Sequence, residues 1–436
     1  MSRSARVVVV ESADNGDGGL AGELGSRGLD AARASDSAQV FARLLGGEKP
    51  DALVVRDGDL MCRGTVRNPE EIVRRILDSD LSRRVPVILL GQEGARPTPV
   101  GVHRIAEPDP DEITVRVESL ARLGILGREL DRRLVVARRF GGAEVEAPQA
   151  RMVDDARIVV AFDPATMSRI GGVLPPPAEV SGAPSAALVL DQLELTAMDA
   201  LVVPATDVAA ALDLIGAVRR DTRHVELPIV AIASQAGEQP ALLQAGASAA
   251  MSRDADDAAL GLRVAGLASE HRYRRAMREA MRAAMPAEAL DSLTGLVTHG
   301  YFLDWLTETV VECDRWGETV SLVAFEITDM TMLNERHGPA STDRLMRALG
   351  RIVASLTRIE DCVCRYTGSR IIAAMPSTST ARARQMRDRI MSVVRTTPFR
   401  DDQANMINAD ITTATTQWRS GASAQGLIED SFRGLS

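Results

Sequence analysis

Asp51-Ala52-Leu53-Val54-Val55 returns later in the chain as Asp199-Ala200-Leu201-Val202-Val203, and that echo decides the architecture. Two further pairs keep the same order around it. Val7-Val8-Val9-Val10 is matched by Ile158-Val159-Val160-Ala161, each following Ala-Arg (Ala5-Arg6 and Ala156-Arg157). Val85-Pro86-Val87-Ile88-Leu89-Leu90 is matched by Leu227-Pro228-Ile229-Val230-Ala231-Ile232. Three anchors in one order imply a duplicated domain. Each anchor is a short apolar run of the kind buried on both faces of a parallel sheet, and the stretches between them are long enough for crossover helices. The reading is an α/β doubly wound unit, present twice.

At 436 residues the chain exceeds what one core organises, and about three domains is the natural expectation. The boundaries read as 1–150 and 151–284 for the two copies and 285–436 for a third domain. Pro175-Pro176-Pro177 and Ser181-Gly182-Ala183-Pro184 read as an irregular insertion within the second copy. From Leu262 to Met285 the composition is helical, with Pro286 as the stop, and the segment reads as a connecting helix.

Composition excludes several function classes. Hydrophobic residues make up 45% but aromatics only 3%, which suits helices packed on aliphatic strands and not a platform for stacking bases. The formal net charge of -9 argues in the same direction against nucleic acid as a partner. Cys62, Cys313, Cys362 and Cys364 have neither disulfide-framework nor zinc spacing, which fits a reducing cytoplasm. No stretch is long enough to span a bilayer, so no membrane insertion is expected.

The two copies resemble response-regulator receiver domains, which implies a flavodoxin-like fold. Phosphotransfer in that family needs an acidic cluster for Mg²⁺, an acceptor Asp, a hydroxyl residue and a Lys. In the first copy Glu11 and Ser12 stand for the acidic pair, Arg56 falls at the acceptor position, Gly91 replaces the hydroxyl residue and Glu107 precedes Pro108 where the Lys belongs. Asp57, one residue late, is the candidate phosphoacceptor. The second copy keeps Asp163 and Ser234, but Pro204 takes the acceptor position and Arg253 is followed by Asp254. Both copies therefore read as degenerate receiver-like modules for dimerisation or docking.

Asp291-Ser292-Leu293-Thr294-Gly295-Leu296, followed by Tyr301-Phe302, resembles the opening signature of GGDEF domains, the diguanylate cyclases, and implies their α/β, nucleotidyl-cyclase-like fold. Glu326, Asn334 and Asp343 follow at the family's spacing for a metal carboxylate and two guanine contacts. Arg365-Tyr366-Thr367-Gly368-Ser369-Arg370-Ile371 occupies the place of the family's Arg-Tyr-Gly-Gly-(Asp/Glu)-Glu-Phe hairpin. Joining two GTP molecules requires divalent metal to carry charge that builds on the phosphates. Here Ser369 and Arg370 replace both hairpin acids and put a cation where the metal belongs. Thr367 adds a side chain where Gly lets the backbone approach phosphate, Gly368 keeps the family's residue, and Thr331 stands in place of a phosphate-binding Lys. The resemblance thus implies a degenerate active site with no catalytic residue and no catalytic metal. Asn334 and Asp343 fit residual guanine binding and fit equally well as polar residues on helix surfaces.

Arg358-Ile359-Glu360-Asp361 resembles the family's RxxD inhibitory site for cyclic di-GMP. The spacing alone says nothing, since Arg27/Asp30, Arg56/Asp59, Arg151/Asp154 and Arg253/Asp256 share it, but the offset from Arg365-Tyr366 is the family's. A guanidinium donates to O6 and N7 of guanine and a carboxylate accepts from its N–H groups. The family adds a second Arg from a following helix, and Arg389 stands at the matching point. Cys362-Val363-Cys364 reads as a strand entered from this turn, with both thiols on one buried face.

Receiver, receiver, GGDEF is the order of the PleD-type response regulators, and a ruined hairpin beside a kept RxxD resembles the non-catalytic effectors among them. That resemblance implies a cyclic di-GMP-binding effector that is not an enzyme. It further implies action through cytoplasmic protein partners such as cell-cycle or proteolysis adaptors, recruitment to a cell pole and a ligand-bridged homodimer. The residues also leave open a weakly active cyclase or GTP-binding regulator, and a nucleotide-independent scaffold.

Overall fold

The duplicated anchors form two sheets of one topology. In this computed structural model, residues 5–11, 19–45, 50–56, 85–91, 102–105, 109–235 and 237–435 are described. The first sheet holds β1 (Arg6–Val10), β2 (Asp30–Ala34), β3 (Ala52–Arg56), β4 (Val87–Leu90) and β5 (Val102–Ile105), in the order β2-β1-β3-β4-β5. The second holds β6 (Arg157–Ala161), β7 (Glu179–Ala183), β8 (Ala200–Ala205), β9 (Ile229–Ala233) and β10 (Ala249–Ser252), in the equivalent order β7-β6-β8-β9-β10. All the pairings in both are parallel. This is the doubly wound order of flavodoxin-like folds.

Alternation along each strand explains the apolar runs. Val8, Val10, Leu53 and Val55 pack on one face of the first sheet with Val40 and Leu44, while Val7, Val9, Ala52 and Val54 pack on the other with Leu24, Ile113 and Val117. The polar residue of the repeated anchor has a matching duty in both copies. The Asp51 carboxylate accepts from Arg6 N at 2.9 Å and that of Asp199 accepts from Arg157 N at 2.8 Å, so each Asp ties the start of the third strand to the start of the first. Pro86 and Pro228 likewise present their carbonyls to Leu53 N and Leu201 N, both at 2.9 Å, at positions where no N–H is needed.

Two sequence expectations change. Ser181-Gly182-Ala183 is no insertion: it lies in β7, paired with β6 in the register Val159↔Ser181 to Ala161↔Ala183. As an edge strand it needs only backbone pairing and carries no apolar run, which hid it. The helix expected over Leu262–Met285 runs Asp257–Ala284, started by the Asp256 carboxylate, which accepts from Ala258 N and Ala259 N. It is more than a connector, because Leu260, Val264, Leu267 and Ala268 pack on the second sheet.

The first copy ends in a corresponding long helix, Pro110–Arg139, capped by Asp109 with Pro110 in its first turn. Its first half covers the first sheet. Its second half, Leu126, Leu130, Leu134 and Ala137, packs against Met277, Ala280, Met281 and Ala284 of the other long helix. Gly142 allows the helix ends to meet, since a Cβ there would lie 2.8 Å from the carbonyls of Ala137 and Ala284.

The third sheet is mixed. It holds β11 (Val297–Thr298), β12 (Val320–Ile327), β13 (Cys362–Arg365), β14 (Arg370–Pro376) and β15 (Ile411–Gln417), in the order β11-β13-β14-β12-β15. Strands β12, β13, β14 and β15 pair antiparallel and β11 pairs parallel with β13. Tyr301, Phe302 and Trp305, on the helix His299–Trp316, are fully buried in its core. Val136 of the first long helix joins that same core, and the Phe140 ring lies 5.5 Å from that of Tyr301. The C-terminal sheet is thereby packed directly against the first copy's last helix.

Candidate functional site

The receiver-like centres have spent their polar groups on structure. Glu11 is fully buried, and its carboxylate accepts from Leu20 N at 2.9 Å and Ala21 N at 3.2 Å and pairs with Arg33 at 3.1 Å. Asp57, Ser12 and Glu107 lie outside the described residues. In the second copy the Asp163 carboxylate caps the helix Pro164–Val173 by accepting from Ala165 N, Thr166 N and Thr166 Oγ1. Those bonds, with the Thr166 hydroxyl foremost, hold its pKa below the usual carboxylate value. Ser234 Oγ donates to Ala205 O at 2.8 Å, Pro204 lies within β8, and Arg169 binds Asp257 and the carbonyls of Arg253 and Ala255. A cavity of ≈ 70 Å³ remains among Asp163, Arg169, Ser234 and Arg253.

In the C-terminal sheet, Asp291-Ser292-Leu293-Thr294-Gly295-Leu296 folds into a tight turn. Asp291 accepts from Thr294 N at 2.8 Å and Thr294 Oγ1 at 2.7 Å, and Gly295 adopts φ +70°. Both oxygens of Asp291 also accept from Arg365 Nη1 at 3.2 Å, which fixes the signature turn against β13. Strands β13 and β14 are joined by a hairpin through Tyr366, Thr367, Gly368 and Ser369, with Tyr366 N donating to Arg370 O at 2.9 Å.

Pairing of β12 with β14 sets Glu326 opposite Arg370. Arg370 Nε donates to Glu326 Oε1 at 2.8 Å, and the guanidinium lies over the Phe432 ring at 4.8 Å. Phe432 in turn contacts Tyr366, and Tyr366 contacts His299. Asn334 Oδ1 accepts a hydrogen bond from Thr342 Oγ1, while Asp343 is exposed on the helix Pro339–Leu356. The two expected guanine contacts thus differ, one engaged by its neighbour and one facing solvent.

The RxxD segment closes on itself at the entrance to β13. Asp361 N donates to Arg358 O at 3.1 Å, and Arg358 N donates to Asp361 Oδ2 at 2.7 Å. Asp361 is only 8% exposed. Burial pushes its carboxyl up to about 7, against the opposing pull of the Arg358 N–H. The Arg358 side chain is 56% exposed and reaches Glu360 only at 3.9 Å. Cys362 and Cys364 are buried on β13, and burial raises both thiol pKa values, that of Cys362 to about 12.

Three arginines absent from the sequence reading belong to this corner. Burial and the guanidinium groups of Arg358 and Arg122 lower the pKa of Arg382, with Glu118 opposing. Arg122 and Glu118 come from the first long helix and Arg382 from the helix Thr380–Thr396. Arg389 lies about two turns further along that helix, exposed and with no hydrogen bond or ion pair among the described residues. The third, Arg133, donates from Nη2 to the carbonyls of Ile359 at 2.7 Å and Asp361 at 3.0 Å. Nothing in local spacing marks Arg122 or Arg133, because their partners lie more than two hundred residues away.

Residues 288–433 match the family described as "Diguanylate cyclase, GGDEF domain". The response regulator PleD of Caulobacter vibrioides is 24% identical over 416 residues, 91% of this chain and 88% of that protein. Diguanylate cyclase A of Treponema denticola is 29% identical over 107 residues, 24% of this chain and 29% of that protein. Among solved structures, the GGDEF domain of DgcB from Caulobacter crescentus in complex with c-di-GMP aligns at 17% identity and a TM-score of 0.33, covering 34% of this chain and 86% of that one. With two flavodoxin-like sheets ahead of the matched segment, the chain carries a GGDEF domain and is similar over most of its length to the response regulator PleD.

Proposed function

We propose that this chain is a cyclic di-GMP receptor without diguanylate cyclase activity, binding its ligand at Arg358 and Asp361 and acting through protein contacts. The observation that carries the reading is the ion pair of Glu326 with Arg370 at 2.8 Å, together with an RxxD turn that keeps its form. Divalent metal in this family's chemistry answers to carboxylates. Here the one carboxylate at the position is neutralised by a guanidinium, and Ser369 brings no charge. These residues do not fit a divalent cation.

The RxxD corner has the opposite character. Arg358, Arg382 and Arg122 gather positive charge there, with Glu118 and Glu360 as acidic neighbours. A cyclic dinucleotide offers what this corner lacks: two phosphates for the guanidinium groups, guanine O6 and N7 for bidentate donation, and N–H groups for the Asp361 carboxylate. Arg389, at the family's position for a second Arg, is assigned to the same ligand. Loss of the hairpin acids beside a retained product site is similar to the condition of PopA, a non-catalytic relative of PleD. By that similarity the output is contact with cell-cycle or proteolysis-adaptor proteins in the cytoplasm near a cell pole, made by a ligand-bridged homodimer.

The test is calorimetric titration of cyclic di-GMP into the full chain and into Arg358→Ala, with GTP turnover followed alongside. Saturable binding to the wild type, a loss of at least about a hundredfold in the variant, and no turnover are expected. Turnover of GTP by the wild type, or binding indifferent to Arg358, would overturn the reading.

A further inference from the structure

The RxxD turn is held from outside its own domain. Arg133, on the first long helix, uses one nitrogen to bond the carbonyls of both Ile359 and Asp361, while its Nε donates to Glu129. Glu129 is itself fixed, being fully buried and accepting from Trp305 Nε1 at 2.9 Å and from Arg132. The Arg133 side chain is only 12% exposed, so these bonds are made out of water, where charge-assisted donation to a carbonyl is strong. The Ile359 side chain completes the hold by packing into the apolar seam of Leu126, Leu130, Met277 and Met281 between the two long helices. Two carbonyls and one side chain of a four-residue turn are therefore set by helices of the receiver-like copies, and Arg358 is left to project into solvent.

We propose that Arg133 is a positioning residue of the cyclic di-GMP site, and that ligand occupancy and docking of the first long helix are coupled through it. The inference rests on the receptor reading above. Arg133 bonds carbonyls of the turn, and its effect is preorganisation. A turn released from the helix has to be ordered when the ligand binds, and that ordering weakens affinity. Coupling between binding events is reciprocal, so a ligand that favours the closed turn also tightens the helix onto the C-terminal sheet. The ligand state is thereby felt in the helix that ends the first receiver-like copy, about 25 Å of helix from Arg122 to its C-terminus.

The experiment uses the full chain with cyclic di-GMP as the probe. Affinity is measured for wild type, Arg133→Gln and Ile359→Ala, and amide hydrogen exchange of residues 126–139 is followed with and without ligand. Each variant is expected to bind about tenfold more weakly, and ligand is expected to slow exchange along the helix in the wild type but not in Arg133→Gln. An arginine with a purely structural part would lower thermal stability and leave affinity and the exchange response unchanged, which overturns the inference. If Arg133→Gln fails to fold, Ile359→Ala decides in its place, since it loosens the turn with Arg133 intact. A wild type that binds no ligand overturns the receptor reading and this inference with it. A wild type that binds, with folded variants of equal affinity, overturns this inference alone.

Discussion

Two corners of the C-terminal sheet lie at opposite ends of β13, and they treat an arginine in opposite ways. At the hairpin, Arg370 is satisfied inside the fold by Glu326 and the face of Phe432. At the RxxD turn, the Arg358 guanidinium reaches the Glu360 carboxylate only at 3.9 Å and stands among other guanidinium groups. The difference teaches that residue type alone does not make an anion site. A cation already neutralised by its neighbour has little to offer a phosphate, whereas a cluster of like charges is relieved when an anion arrives.

The corners also differ in how they are anchored, and this sets the largest expected effect. Glu129→Ala leaves Arg132 and Arg133 buried without their shared carboxylate, a loss of about 3 to 5 kcal/mol at the helix contact. The thermal midpoint of the C-terminal domain falls by several degrees and cyclic di-GMP affinity falls with it. Arg370→Ala breaks a pair that is 36% and 22% exposed, so it costs under about 1 kcal/mol and leaves affinity unchanged. Equal midpoints for the two variants would erase the contrast between a buried and a half-exposed anchor.

Next in size is the choice between two arginines of one helix. Arg382→Ala is expected to weaken cyclic di-GMP binding about tenfold, the scale of one charge-assisted contact. Arg389→Ala, measured in the same titration, shows whether the position matched by sequence offset adds a second contact. A larger loss from Arg389→Ala than from Arg382→Ala would move the phosphate contact along the helix, with Arg382 reduced to a neighbour of Arg358.

A smaller effect sharpens the chemistry of the hairpin. Arg370→Glu sets a second carboxylate against Glu326, and like charges at that separation destabilise by about 1 kcal/mol in a half-exposed place. Millimolar Mg²⁺ should then raise the thermal midpoint of Arg370→Glu while leaving the wild type unmoved. A wild type stabilised by Mg²⁺ to the same extent would show that Arg370 does not hold the metal out.

Much of this was legible in the chain. The repeated apolar anchors encode strands buried on both faces, and the repeated Asp51 and Asp199 encode a bond between first and third strands. The hairpin's lost acids and the RxxD turn can likewise be read from sequence order. Edge strand β7 was hidden because backbone pairing leaves no apolar signature. Arg133, Arg122 and Glu129 were hidden for a different reason: their meaning arises only when the last helix of the first copy reaches the C-terminal sheet. Local patterns report burial and turns, and contacts between domains leave no period to read.

Asp361 supplies the last test, through pH. Its folded-state pKa of about 7 lies above the ordinary carboxyl value, so the folded chain favours the protonated form. The stabilising contribution of that form is complete below about pH 4 and is lost as pH rises through about 7. Asp361→Asn keeps an oxygen for the Arg358 N–H without the charge. The midpoint of the wild type should therefore fall relative to that of Asp361→Asn between about pH 4 and pH 7, and parallel profiles would remove the buried carboxyl from the argument. Ligand acts on the same equilibrium with the opposite sign. Guanine N–H donors and the surrounding guanidinium groups favour the carboxylate, so binding near pH 7 should release a proton from Asp361. Titrations in buffers of different ionisation enthalpy would detect it, and the release should vanish in Asp361→Asn.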